Sequence, residues 1–152
     1  MINNQSGQTL IETLVALAMA VIIMSAIALT MITAINSGDF AKQQNLAAQY
    51  AQQGLELVKQ QAQDGSALLP LGSFCLNGTA TDLNSSILYT CNINNDANKV
   101  AGFVRQVQTG LDASKCGGAV YVAVTTKWTD GKCTSGAYCH NVTLDSCVSD
   151  NR

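Results

Sequence analysis

Between Thr13 and Ile35 the chain reads TLVALAMAVIIMSAIALTMITAI, with no charged residue, no Gly and no Pro. No other feature restricts the folding of the 152 residues as much. As a helix the run would reach about 34 Å, against a bilayer hydrocarbon core of about 30 Å. It is apolar on every face, whereas a surface helix of a globular protein is apolar along one stripe. A signal peptide has an apolar region of only about 7–15 residues and a small-residue cleavage site behind it. This run is longer, and its leader MINNQSG carries no Lys or Arg. A membrane-spanning helix is therefore expected. Its orientation is not set by the positive-inside rule, because Lys42 lies on the far side. Glu12 stands at the start of the run. Either it sits at the headgroup level, where a helix N-terminus favours a carboxylate, or it finds a partner within the apolar phase.

The segment Ser6-Gly7-Gln8-Thr9-Leu10-Ile11-Glu12-Thr13-Leu14 resembles the processing site of a type IV prepilin. The resemblance covers about the first thirty residues: a polar leader, Gly, Thr-Leu-Ile-Glu and an apolar run, in that order. It implies that a membrane peptidase cuts after Gly7 on the cytoplasmic side and that Gln8 becomes the N-methylated terminus. Glu12 then takes the place of the glutamate at the fifth mature position. Two departures are visible. The first mature residue in the family is usually Phe, and the family's leader usually carries basic residues.

Beyond Asn36-Ser37-Gly38-Asp39, the stretch FAKQQNLAAQYAQQGLELVKQQAQ is rich in helix formers. Ala47, Ala51, Leu55, Val58 and Ala62 recur at helical steps and make one apolar stripe. Asp64-Gly65 and then Pro70 end the helix. The two halves are expected to form one helix with a possible kink at the Asn-Ser-Gly-Asp quartet, as in pilins. Residues 66 to 99 are rich in Gly, Ser, Thr and Asn and read as a loop held by cysteines. Three runs with β-branched alternation follow: Phe103 to Thr109, Ala119 to Trp128 and Tyr138 to Val148. Val120, Val122, Val124, Thr126 and Trp128 share one parity, as do Val142, Leu144 and Val148, so these faces should pack on the helix stripe. Helix followed by antiparallel strands is an α+β order. The expected organisation is a leader at 1–7, a transmembrane and filament-core helix at 8–37, an amphipathic helix at 38–64 and a disulfide-rich β domain at 65–152.

Cys75, Cys91, Cys116, Cys133, Cys139 and Cys147 all lie beyond the apolar run. An even number on the exported side reads as a disulfide framework. If Tyr138 to Val148 is one strand, Cys139 and Cys147 stand roughly 26 Å apart and cannot pair. Antiparallel pairing of the last two strands brings Cys116 near Cys147 and puts Cys133 and Cys139 at the turn. The expected pairs are Cys75–Cys91, Cys116–Cys147 and Cys133–Cys139. Zinc is disfavoured: there is no CxxC pair, and Cys139 and His140 would point oppositely within a strand.

Asn92, Asn94, Asp96 and Asn98 alternate loosely like a calcium loop. Ala97 and Phe103 stand where an EF-hand needs Gly and Glu, so a polar turn is expected. Asn77, Asn84 and Asn141 each begin an N-glycosylation pattern, which is too common to weigh. Arg105 reads as a sheet-surface charge and His140 as an exposed strand residue. Eight Lys plus Arg against ten Asp plus Glu, with a pI near 5.1, exclude a general nucleic-acid binder. A single His excludes multi-His metal sites. No nucleophile–base pair or phosphate loop can be assembled, so neither catalysis nor a cofactor is expected.

The resemblance implies a pilin-type subunit. It is held in the plasma membrane with its C-terminal domain outside, processed by prepilin peptidase, and packed with other pilin subunits through the N-terminal helix into an extracellular filament. The stretch Lys127-Trp128-Thr129-Asp130 with His140-Asn141-Val142-Thr143-Leu144 also resembles the last hairpin of some minor pilins. The alternatives are a pseudopilin of a type II secretion or DNA-uptake machine, and a single-pass anchored extracellular binding domain.

Overall fold

The computed structural model describes residues 6–64, 69–76, 87–88, 91, 99–131, 133–134 and 138–149. The asparagine-rich turn at 92–98 and the patterns beginning at Asn77 and Asn84 lie outside them. Helix α1 runs Ser6–Asp64 without interruption at Asn36-Ser37-Gly38-Asp39. It is followed by an antiparallel sheet, giving an α+β chain. The strands are β1 (Gly72–Leu76), β2 (Ile87–Leu88), β3 (Lys99–Val100), β4 (Phe103–Leu111), β5 (Val120–Trp128) and β6 (His140–Val148). A single helical turn, α2 (Ala113–Cys116), joins β4 to β5. The sheet order is β2-β1-β4-β5-β6, with β3 paired to β4. The chain separates into two compact units, residues 1–42 and 43–152.

In the second unit, the α1 stripe Ala51, Leu55, Val58 and Ala62 is buried with Phe74, Leu76, Val107, Val120, Val122, Val124 and Val148. A second cluster joins Ala47 to Phe103 and Trp128, with Leu46, Tyr50 and Val142 packed on it. The small residues of the stripe let the helix backbone come close to the sheet. At Gly54 a Cβ would stand 3.0 Å from Val124 Cγ1 and 3.1 Å from Leu76 Cδ1. A mid-helix Gly costs about 1 kcal/mol relative to Ala. Here the close approach explains its presence.

The segment 66–99, expected to be a loop, contributes β1, β2 and the first residue of β3. Gly72-Ser73-Phe74-Cys75-Leu76 pairs with β4 so that Phe74 lies opposite Val107 and Leu76 opposite Arg105. Its pattern is two residues long on the buried face, too short for periodicity to reveal. The Thr109 hydroxyl fixes its start by donating to the Pro70 carbonyl and accepting the Gly72 N–H at 3.1 Å. Between β3 and β4, Ala101 (φ 50°) and Gly102 (φ 91°) make a two-residue turn, with Val100 paired to Phe103. Two positive φ values in succession match the twist of the flanking strands.

Arg105 is not a surface charge. It is only 3% exposed, on the same face of β4 as Phe103 and Val107. The space left by the missing Gly54 side chain accommodates it, with Arg105 Cδ 3.9 Å from where that Cβ would be. Burial lowers the guanidinium pKa, while the Tyr50 hydroxyl opposes that shift.

Candidate functional site: the helix start and the disulfide loop

From Leu10 to Ile35 the large apolar side chains of α1 are all exposed, for example Leu10 at 65% and Met24 at 71%. This is the one stretch among the described residues long and apolar enough to cross a membrane. Hydroxyls interrupt it, and each is satisfied within the helix. Thr13 Oγ1 donates to the Leu10 carbonyl at 3.0 Å. Ser25 to Ile22, Thr30 to Ile27 and Thr33 to Thr30 do the same at 2.8 Å. In a medium without water an unsatisfied hydroxyl costs several kcal/mol, and these bonds remove that cost. Glu12 is then the one charged side chain between Thr9 and Gly38. It is exposed on the first turns of the helix. Gly7 and Gln8 lie within α1, one turn before it.

In the second unit the six cysteines come together as Cys75–Cys91, Cys116–Cys147 and Cys133–Cys139, with Cα separations of 5.3, 5.5 and 5.5 Å. The register explains the last two. Val120 lies opposite Val148 and Tyr121 opposite Cys147, which sets the end of β6 beside α2 and its Cys116. At the other end Trp128 lies opposite His140, so the connection from β5 to β6 closes across Cys133 and Cys139. Asp112 caps α2 by accepting from the Ser114 and Lys115 N–H groups. The Ser114 hydroxyl, ahead of those amides, holds the Asp112 carboxyl below the usual range.

The β5–β6 connection gathers more than a disulfide. Asp130, Cys133, Cys139 and His140 each direct one ligand-type atom into a group spanning no more than 4.8 Å. His140 Nε2 lies 3.1 Å from Asp130 Oδ2. The imidazole stacks on Trp128 with ring centroids 5.4 Å apart. Asp130 N–H donates to Cys133 Sγ at 3.5 Å, and Cys133 N–H donates to the Asp130 carbonyl at 3.2 Å. His140 is thus half-buried rather than exposed. Cys139 and His140 do not diverge as neighbours in a strand would, because β6 begins at His140 and Cys139 precedes it. A strand that starts at Tyr138 turns Cys139 and His140 apart; one that starts at His140 leaves Cys139 in the connection beside Cys133.

Residues 2–32 match the prokaryotic N-terminal methylation motif. This is the type IV prepilin-like signature, and it overlaps the start of the exposed apolar stretch of α1. The match ends before the second unit begins. Searches of the curated proteins and of the solved structures return no match.

Proposed function

We propose that this chain is a pilin subunit, and specifically a minor pilin, of an extracellular type IV filament. One observation carries the reading: the apolar surface that surrounds α1 from Leu10 to Ile35 coincides with the methylation motif. Such a surface stays out of water only in lipid or against other apolar helices. It can pass from one to the other without exposure, so the same segment serves as anchor and as assembly surface. The minor-pilin assignment rests on the hairpin that contains Trp128 and His140.

In this reading prepilin peptidase cuts after Gly7 and frees an α-amine on Gln8, about 6 Å along the axis from Glu12. Both charges would be stranded in a filament core. The amine of one subunit meeting Glu12 of its neighbour neutralises both and sets the axial register between them. Removing one partner of a buried pair costs about 3–5 kcal/mol, since the other charge is left uncompensated.

The experiment combines mass spectrometry of the mature N-terminus with quantification in sheared filaments. The wild type should begin at Gln8 and appear in filaments, and Gly7→Val should keep its full length in the membrane. Glu12→Val should be trimmed normally yet be depleted from filaments. Normal trimming of Gly7→Val would overturn the processing site. Equal incorporation of Glu12→Val would overturn the intersubunit pair. A trimmed chain found only in the membrane fraction would favour the pseudopilin or anchored-domain readings.

A further inference from the structure

The Cys133–Cys139 disulfide accounts for two of the four groups that meet at the β5–β6 connection. The other two, Asp130 and His140, pair with each other at 3.1 Å beside the sulfurs. Asp130 and His140 are brought onto the sulfurs from the two ends of the connection, with side chains only 18% and 26% exposed. His140 is held in place by its stack on Trp128. The Asp130 N–H directed at Cys133 Sγ is the type of contact that supports a sulfur carrying negative charge.

We propose that Asp130, Cys133, Cys139 and His140 form a redox-gated zinc site, closed in the disulfide form and open in the dithiol form. Two thiolates, one imidazole and one carboxylate suit a tetrahedral, borderline-soft divalent cation, and are a poor set for calcium or magnesium. Zinc bonds of about 2.0–2.3 Å place neighbouring ligand atoms about 3.3–3.8 Å apart in a tetrahedron. The four atoms already lie within 4.8 Å of one another. Binding therefore needs the sulfurs to part and the group to contract by about 1 Å.

Opening requires a dithiol reductant. Its thiolate attacks Cys139 Sγ, on the exposed residue of the pair, and Cys133 leaves as the thiolate that receives the Asp130 N–H. The second thiol of the reductant then resolves the mixed disulfide. Two electrons have passed to the protein, which holds two cysteine thiols once Cys133 is protonated, and the reductant has become a disulfide. Zinc replaces the two thiol protons, which go to solvent. The His140 Nε2 lone pair and the Asp130 carboxylate complete the shell, and the direct contact between them gives way to the metal.

The test uses the full chain in detergent micelles, reduced with dithiothreitol, freed of it under anaerobic conditions, and titrated with cobalt and then zinc. The reduced chain should bind one cobalt with sulfur-to-metal charge-transfer absorption and the visible bands of a tetrahedral ion, and zinc should displace it. The oxidised chain should show neither. His140→Gln and Asp130→Asn should each weaken binding at least about tenfold, and Cys133→Ser should remove the charge-transfer band of the pair. Trp128 emission reports whether each form is folded. A cobalt spectrum and affinity unchanged in both His140→Gln and Asp130→Asn would overturn the site by placing the metal on other cysteines. So would a reduced chain that takes up no metal, or one that stays unfolded with zinc present.

Discussion

Residues 10–35 and 47–62 belong to the same helix, yet they meet their surroundings in opposite ways. Along the first stretch Leu, Ile, Val and Met are exposed on every side. Along the second, Ala47, Ala51 and Val58 are completely buried, while Gln52, Gln53 and Gln60 face water. Backbone conformation is common to both, so the helix by itself does not decide what covers it. Composition does. An all-round apolar surface requires an apolar medium or like neighbours. A single stripe requires one folded partner, which here is the chain's own sheet.

The sharpest way to break this contrast is to place the same charge in both stretches. Val58→Asp buries a carboxylate without a partner and should destabilise the second unit by about 4 kcal/mol or more. Denaturant unfolding followed by Trp128 emission would read this. Met24→Asp should leave that unfolding curve unchanged and instead weaken membrane insertion by about 3 kcal/mol, seen as a shift toward the soluble fraction. Equal effects of the two on the Trp128 transition would show that the stretches are not independent.

The glycines of α1 give a second, smaller test. Gly54→Leu should cost about 3 kcal/mol, since its Cβ would already press on Val124 and Leu76. Gly38, with nothing within 4 Å of its Cβ position, should accept Leu with a change in the Trp128 transition below about 0.5 kcal/mol. In the turn between β3 and β4, Ala101 holds φ 50° without the freedom of glycine. Ala101→Asn should stabilise the second unit by about 0.5–1 kcal/mol, and a midpoint unchanged or lowered would argue against the turn.

The smallest effect is the acid dependence of the Asp112 cap. A carboxyl pKa lowered by folding contributes stability above its unfolded value and loses it as pH falls through the folded value. The protection of the Ser114 and Lys115 amides against exchange, relative to the intrinsic rate at each pH, should therefore fall as pH drops below the ordinary carboxyl range. Asp112→Asn should remove that pH dependence and nothing else.

Legibility in the sequence followed pattern length. The nine-residue strands β5 and β6 offered five and three same-face positions, and the helix stripe five, so their inward faces could be named in advance. β1 offered only Phe74 and Leu76 amid polar neighbours. Arg105 was misread because residue type outweighed parity: Phe103, Val107 and Thr109 share its face. Its counterpart was also visible, as a lone glycine in the Ala- and Gln-rich half of the helix. At the β5–β6 connection a two-residue error in a strand boundary reversed the geometry inferred for Cys139 and His140. The candidate site at the helix start was legible as a motif, since Gly7 and Glu12 stand at fixed spacing before the apolar run. How the loop residues converge was not, because that depends on where β6 starts.

The four hydroxyls folded back onto the Leu10, Ile22, Ile27 and Thr30 carbonyls have a mechanical consequence. A helix whose hydroxyls are all engaged internally offers a neighbour no side-chain hydrogen bond along that stretch to fix its position. A neighbour lying along residues 13–35 would meet interspersed small and large apolar side chains, so its angle would be set by packing alone. In the proposed filament, Glu12 would be the one charged group able to fix axial position. An array of such helices would be indexed by one carboxylate near the start of each and held along the rest by apolar packing alone.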